Sequence, residues 1–168
     1  MKYLKMSAVA AAVTILAGCA AKQDVSRFEA EKPKTVCIAE HQAVKEGVVT
    51  SLQTGFAKHN VQTRVIPANY VMKHQAYQTD ISTANTDSCD AIAFYVANWH
   101  WDLALYMAYA NIWVTNVDQS KTIAQASYRT GGGLDKFIDA NDKIIELVDS
   151  MFQQVEAKKQ QESQKKAI

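Results

Sequence analysis

Charge of one sign is not in excess in this chain. Its 168 residues hold 18 Lys and Arg against 17 Asp and Glu, a formal net charge of +1. The first 18 residues contribute Lys2 and Lys5 and no acid, so the remainder carries 16 basic against 17 acidic groups. A nucleic-acid partner requires a basic face that displaces counterions from phosphates, and its absence excludes that class. Catalytic signatures are also missing: there is no nucleophile elbow and no H-E-x-x-H. The histidines at 41, 59, 74 and 100 share no helix or strand ligand spacing, so no metal site is expected. No cofactor is implied, and the chain reads as a non-enzyme. Cysteine is limited to Cys19, Cys37 and Cys89, with no C-x-x-C pair for exchange chemistry. A hydrophobic content of 48% with 21% charged residues is ordinary for a globular protein, and the length suits one domain.

The N-terminus has its own logic. Lys2 and Lys5 form a positive region, residues 6–16 a short apolar one, and Ala17 and Gly18 are small. This is a secretory signal, too short to span a bilayer as a mature helix. The ending Leu16-Ala17-Gly18-Cys19 resembles the lipobox of bacterial lipoproteins. That resemblance implies removal of residues 1–18 and acylation of Cys19 with palmitate-like chains, which together give a stable anchor. In the enterobacterial pattern an Asp after the cysteine favours inner-membrane retention. Ala20 therefore implies the outer membrane, with the protein facing the periplasm. Residues 19–33 show no periodicity and end at Pro33, so they read as a flexible tether with a reach on the order of 20 Å.

Residues 34–157 are expected to form a single α/β (α+β) domain. Residues 35–39 (TVCIA) read as a strand buried on both faces. A helix is expected over 43–59, where Val44, Val48, Leu52 and Phe56 make one stripe, with Asn60 as its left-handed stop. Gly47 and Gly55 weaken that helix unless close packing requires them. A second strand over 61–66 completes a βαβ unit. Residues 69–78 suggest a short helix through Tyr70, Val71, His74 and Tyr77, and 79–88 a polar surface loop. Next comes a three-stranded antiparallel meander. Its first strand carries Ile92, Phe94 and Val96 on one face and Ala91, Ala93 and Tyr95 on the other. A turn is expected at 98–102. The second strand runs over 103–117, with Met107 and Tyr109 on one face and a bulge near Asn111. The third covers 122–129 with the alternation of a half-exposed strand. Gly131, Gly132 and Gly133 break the sheet and open a C-terminal amphipathic helix over 134–157, packed on the one mixed sheet. A triple glycine before a helix can cradle an anion, but this one has neither a Walker lysine nor dinucleotide spacing and reads as a connection. Residues 158–168 form a polar tail that frays or projects into solvent.

Two features suggest sites. Trp99, His100, Trp101 and Asp102 form the most distinctive local sequence. The two indoles offer a stacking platform for a sugar or peptide, with His100 and Asp102 as polar handles. The same residues at a strand end equally close the rim of a core or cap a turn. Cys37 and Cys89 remain once Cys19 is committed to lipid. In an oxidising periplasm they favour a disulfide, and otherwise they are two buried thiols.

From Cys89 onward the run C-D-A-I-A-F-Y-V-A-N-W-H-W-D-L-A-L-Y-M, then S-Y-R-T, K-F-I-D and K-I-I-E-L-V-D-S-M-F, resembles a group of small uncharacterised proteobacterial outer-membrane lipoproteins. Trp-x-Trp-Asp is the most specific part. The resemblance implies the anchor but no activity. The layout is also similar to the periplasmic α/β modules of beta-propeller translocation proteins and curli-secretion lipoproteins. The expected function is a lipid-anchored envelope interaction or assembly module, contacting the membrane through its anchor and an envelope protein or peptidoglycan through its body. The rival is a glycan or small-ligand binding module using Trp99 and Trp101.

Overall fold

The core of the molecule forms where a doubly buried strand meets a hydrophobic meander. The computed structural model describes residues 20–166 apart from 30, 45, 46, 74, 75, 82–85, 103 and 133–137, with side chains outside 72–77, 101–105 and 154–166. Its elements are β1 (Lys22–Ser26), β2 (Thr35–Glu40), α1 (Val48–Lys58), β3 (Gln62–Pro67), β4 (Asn69–Lys73), β5 (Ala76–Asp80), β6 (Ala91–Asp102), β7 (Ala104–Asn116), β8 (Thr122–Arg129) and α2 (Ala140–Lys166). Six strands form one mixed sheet in the order β1-β8-β7-β6-β2-β3, and β4-β5 form a separate hairpin. Strand β2 lies parallel to both β3 and β6, while β6, β7 and β8 are the expected antiparallel meander. The α+β class and the packing of the C-terminal helix on the sheet are as the sequence indicates.

Both helices cover one face. Val48, Leu52 and Phe56 of α1 and Ile144, Leu147, Val148, Met151 and Phe152 of α2 meet Val36, Ile38, Ala93, Tyr95, Ile112, Val114 and Ala126 in the main core. Small residues at 91, 93, 110, 124 and 126 let the helices approach the sheet. The two helices run in the same direction, since Ser51 bonds Asn141 while Lys58 and His59 meet Asp149. Gly55 permits their contact: a Cβ there would lie 2.8 Å from Val148 Cβ. The packing condition on Gly55 is therefore met. Gly47 lies outside the helix as its N-cap at φ +99°, and this left-handed residue starts α1 at Val48, not at 43. Asn60 has φ 56° and terminates the helix as its sequence suggests, with the Val61 N–H returning to the Phe56 carbonyl.

Four local expectations are corrected. The tether over 19–33 is in its described part a structured edge: β1 pairs antiparallel with β8, and Phe28 is buried, its ring 4.7 Å from Phe152. One apolar residue, Val25, gives β1 no visible periodicity; its order comes from hydrogen bonds to the otherwise open side of β8. Residues 69–80 form the β4-β5 hairpin and not a helix with a loop. The i+3 and i+4 spacing there was overridden by the need to cover Ile92 and Phe94. The turn placed at 98–102 is strand, because β6 continues to Asp102. Helix α2 starts at Ala140, where the Asp139 carboxylate accepts the Asn141 and Asp142 N–H groups, and it continues through the polar tail to Lys166. The expected helical residues 134–137 lie outside the described residues.

The bulge also moves. Register shifts occur at Asn98/Trp99 and at Val114/Thr115, flanking Asn111. The first splits Met107 from Tyr109: Met107 is buried in the main core, while Tyr109 pairs with Arg129 on the other face.

Candidate functional site

The face of the sheet away from the helices is divided. Toward β2 and β6 it carries a second, smaller core of Cys37, Ala39, Ile66, Ile81, Ile92 and Phe94, against which Tyr70 of the β4-β5 hairpin and Trp113 pack. The Trp113 ring stacks on Phe94 with centroids 5.6 Å apart. Cys37 and Cys89 form a disulfide with Cα atoms 5.7 Å apart, joining β2 to the lead-in of β6. The Asp90 carboxylate beside it accepts the Lys34 and Thr35 N–H groups, each at 2.9 Å.

A ring cluster marks the carboxyl end of β2. His41 stacks on Tyr70 at 4.0 Å, and its backbone N–H donates to the Tyr95 hydroxyl at 3.1 Å. The Tyr70 hydroxyl donates to the Ala39 carbonyl and accepts from the Tyr95 N–H. Burial pushes both phenols up, so they act as neutral hydrogen-bonding groups. Burial likewise lowers His41, and its Nδ1 accepts the Ala43 N–H.

Toward β7, β8 and β1 the same face is polar and, among the described residues, uncovered. Asp24, Tyr109, Asn111, Gln125, Ser127 and Arg129 line a concavity of about 600 Å³. Gln125 Nε2 donates to Asn111 Oδ1 at 3.0 Å, and the Arg129 guanidinium lies 5.2 Å from the Tyr109 ring centroid. Amides, a hydroxyl, a carboxylate, a guanidinium and a ring face suit recognition through many modest hydrogen bonds. The alternation of 122–129 was the sequence signal for this face. Tyr109 and Asn111 escaped notice because the bulge reassigns their side of the strand.

The expected sites fall as follows. Trp99 is half-buried against the main core and His100 is exposed, with its ring edge-on to Tyr106 at 6.2 Å. The strand thus sends these neighbours to opposite faces. The side chains of Trp101 and Asp102 lie outside the described residues, as does Cys19. Of the four histidines, His59 is buried, its ring 4.2 Å from Phe152 and its Nε2 2.9 Å from Asp149 Oδ1. His74 lies outside the described residues. Among the described residues no three His, Cys, Asp or Glu side chains converge on a metal position. No described helix is long and apolar enough to cross a membrane.

No family model and no curated protein matches the chain. Among solved structures, it is similar to the PelC dodecamer from Paraburkholderia phytofirmans, with a TM-score of 0.50 and 9% identity over 79% of this chain and 94% of that one. A second PelC dodecamer structure from the same organism gives a TM-score of 0.44 at the same identity and coverage. The likeness is one of fold.

Proposed function

We propose that this chain is an outer-membrane lipoprotein, anchored through acylated Cys19 and facing the periplasm, whose body serves as a non-enzymatic interaction or assembly module. The observation that carries the reading is the Cys37–Cys89 bridge in a chain whose leader ends in Leu16-Ala17-Gly18-Cys19. Such a bridge persists in oxidising compartments. The fold shared with a protein solved as a dodecamer supports assembly, with further copies or an envelope protein as partner. Palmitate labelling with membrane fractionation tests the anchor, and crosslinking in cells tests the partner. Acylated protein in the outer membrane with a crosslinked envelope component is expected. Unmodified Cys19 in a cytosolic product overturns the reading, as does acylated protein that crosslinks neither to further copies nor to an envelope component.

A second reading, a glycan or small-ligand module, is favoured by the polar concavity more than by Trp99 and Trp101. Its residue types match a hydroxyl-rich ligand. Soluble peptidoglycan fragments should then bind with an affinity that falls in Asn111→Ala and is unchanged in Trp99→Phe. The reverse pattern returns the site to the strand end, and no binding removes this reading.

A further inference from the structure

We propose that the tip of the β6-β7 hairpin is a membrane-contact finger, seated in the headgroup layer of the leaflet that holds the acyl chains. This rests on the Cys19 anchor proposed above and adds how the body sits on the membrane. Strand β1 begins at Lys22, so only Ala20 and Ala21 separate Cys19 from the sheet, and Ala21 already packs against the main core. Three residues of fully extended chain reach about 10 Å. The anchor therefore cannot hold the body far from the bilayer.

The register decides which end of the body faces the lipid. Lys22 pairs with Arg129, Arg129 with Tyr109, and Tyr109 with Asn98, so these four residues form one row across the sheet. Strand β8 stops at this row and β1 starts at it. Strands β6 and β7 continue past it, from the Trp99/Met107 pair to the Asp102/Ala104 pair. At ~3.3 Å per residue those four pairs carry the hairpin about 13 Å beyond the row, on the side where Cys19 attaches. A projection of about 13 Å exceeds an anchor reach of about 10 Å. An acylated Cys19 within the leaflet thus brings the hairpin to the lipid surface.

The residues at that tip suit the place. Trp99 is half-exposed, Trp101 lies opposite Leu105, and Tyr106 is opposite His100. Tryptophan and tyrosine concentrate at headgroup depth, where the ring body meets acyl chains and the polar edge meets water. Exposed Lys22 and Arg129 stand on the row behind them, at the level of lipid phosphates. Helix α2 starts at this end of the sheet and runs away from it, so its 27 residues carry the polar C-terminal segment about 40 Å from the membrane side.

The test uses full-length protein, acylated in cells, in phosphatidylethanolamine and phosphatidylglycerol vesicles with or without brominated lipid, which quenches nearby tryptophan. The chain has three tryptophans. In Trp113→Phe only the finger's two remain, and bromolipid should lower their emission, since tryptophan at headgroup depth lies within reach of the bromines. In the Trp99→Phe, Trp101→Phe protein only Trp113 remains, packed mid-sheet against Phe94, and its emission should be unchanged. Near-ultraviolet circular dichroism checks that both variants fold. Unquenched Trp113→Phe protein with acylated Cys19 overturns the finger and leaves the anchor standing. This includes the case in which the finger is buried against a second copy. Unacylated Cys19 by mass spectrometry overturns both.

Discussion

The two faces of the sheet are built on different terms. The helix-covered face holds a continuous apolar core that runs from Phe28 to Phe152 and spans strands β2, β6, β7 and β8. The opposite face has six buried residues under a two-stranded hairpin, then a polar expanse that no described residue covers. The first face resembles the interior of any α+β domain, and its stability comes from burial. The second buries fewer residues, and a disulfide reinforces it. The contrast separates a face committed to folding from one that leaves its polar groups exposed.

The sharpest way to break this contrast is to empty the first face. Phe152 touches Phe28, Phe56 and His59, so Phe152→Ala should cost near the upper end of ~3–5 kcal/mol in a urea titration. A loss below that of the disulfide would reverse the ranking of the two faces. Replacing both Cys37 and Cys89 by Ala opens a loop with a sequence separation of 52 and should lower stability by about 4 kcal/mol or less. Hydrogen exchange should then rise first in the β4-β5 hairpin, with α1 and α2 last. A uniform rise would erase the distinction. Gly55→Ala pushes a Cβ against Val148 and should cost about 1–3 kcal/mol. Adding Val148→Ala should restore part of that, which assigns the effect to the helix contact.

The smallest effect concerns pH at the second face. His41 is held below its ordinary value of 6.5 by burial. The unfolded chain therefore takes up the proton more readily, and stability is fully present above about pH 6.5 and declines as pH falls through it. Urea midpoints between pH 7.5 and 5.5 should show this fall, reduced in His41→Gln. An unchanged slope would place the titrating group elsewhere.

Much of the main core was legible because its periods are strong. The β2 run of β-branched residues, the α1 stripe and the meander's double-sided apolarity each point to one partner. The polar edge strand β1 was illegible, since its order comes from backbone pairing with β8. The 69–80 segment misled because an alternating hairpin with Tyr70 and Tyr77 also satisfies a helical spacing. At the candidate site, one bulge in β7 separates Met107 from Tyr109, and counting alternate residues cannot reveal where a strand slips.

The seam between β2 and β6 has only three paired positions, Val36 with Ala91, Cys37 with Ile92 and Ile38 with Ala93. Within the sheet the βαβ piece and the meander piece are thus two zippers joined by one short stitch, while the helix-covered core binds them on one side only. The sulfur link sits on that stitch. A thiol-rich setting would therefore leave each half with most of its own rungs and slacken the seam on the hairpin side, while the helices still clasp it from the other.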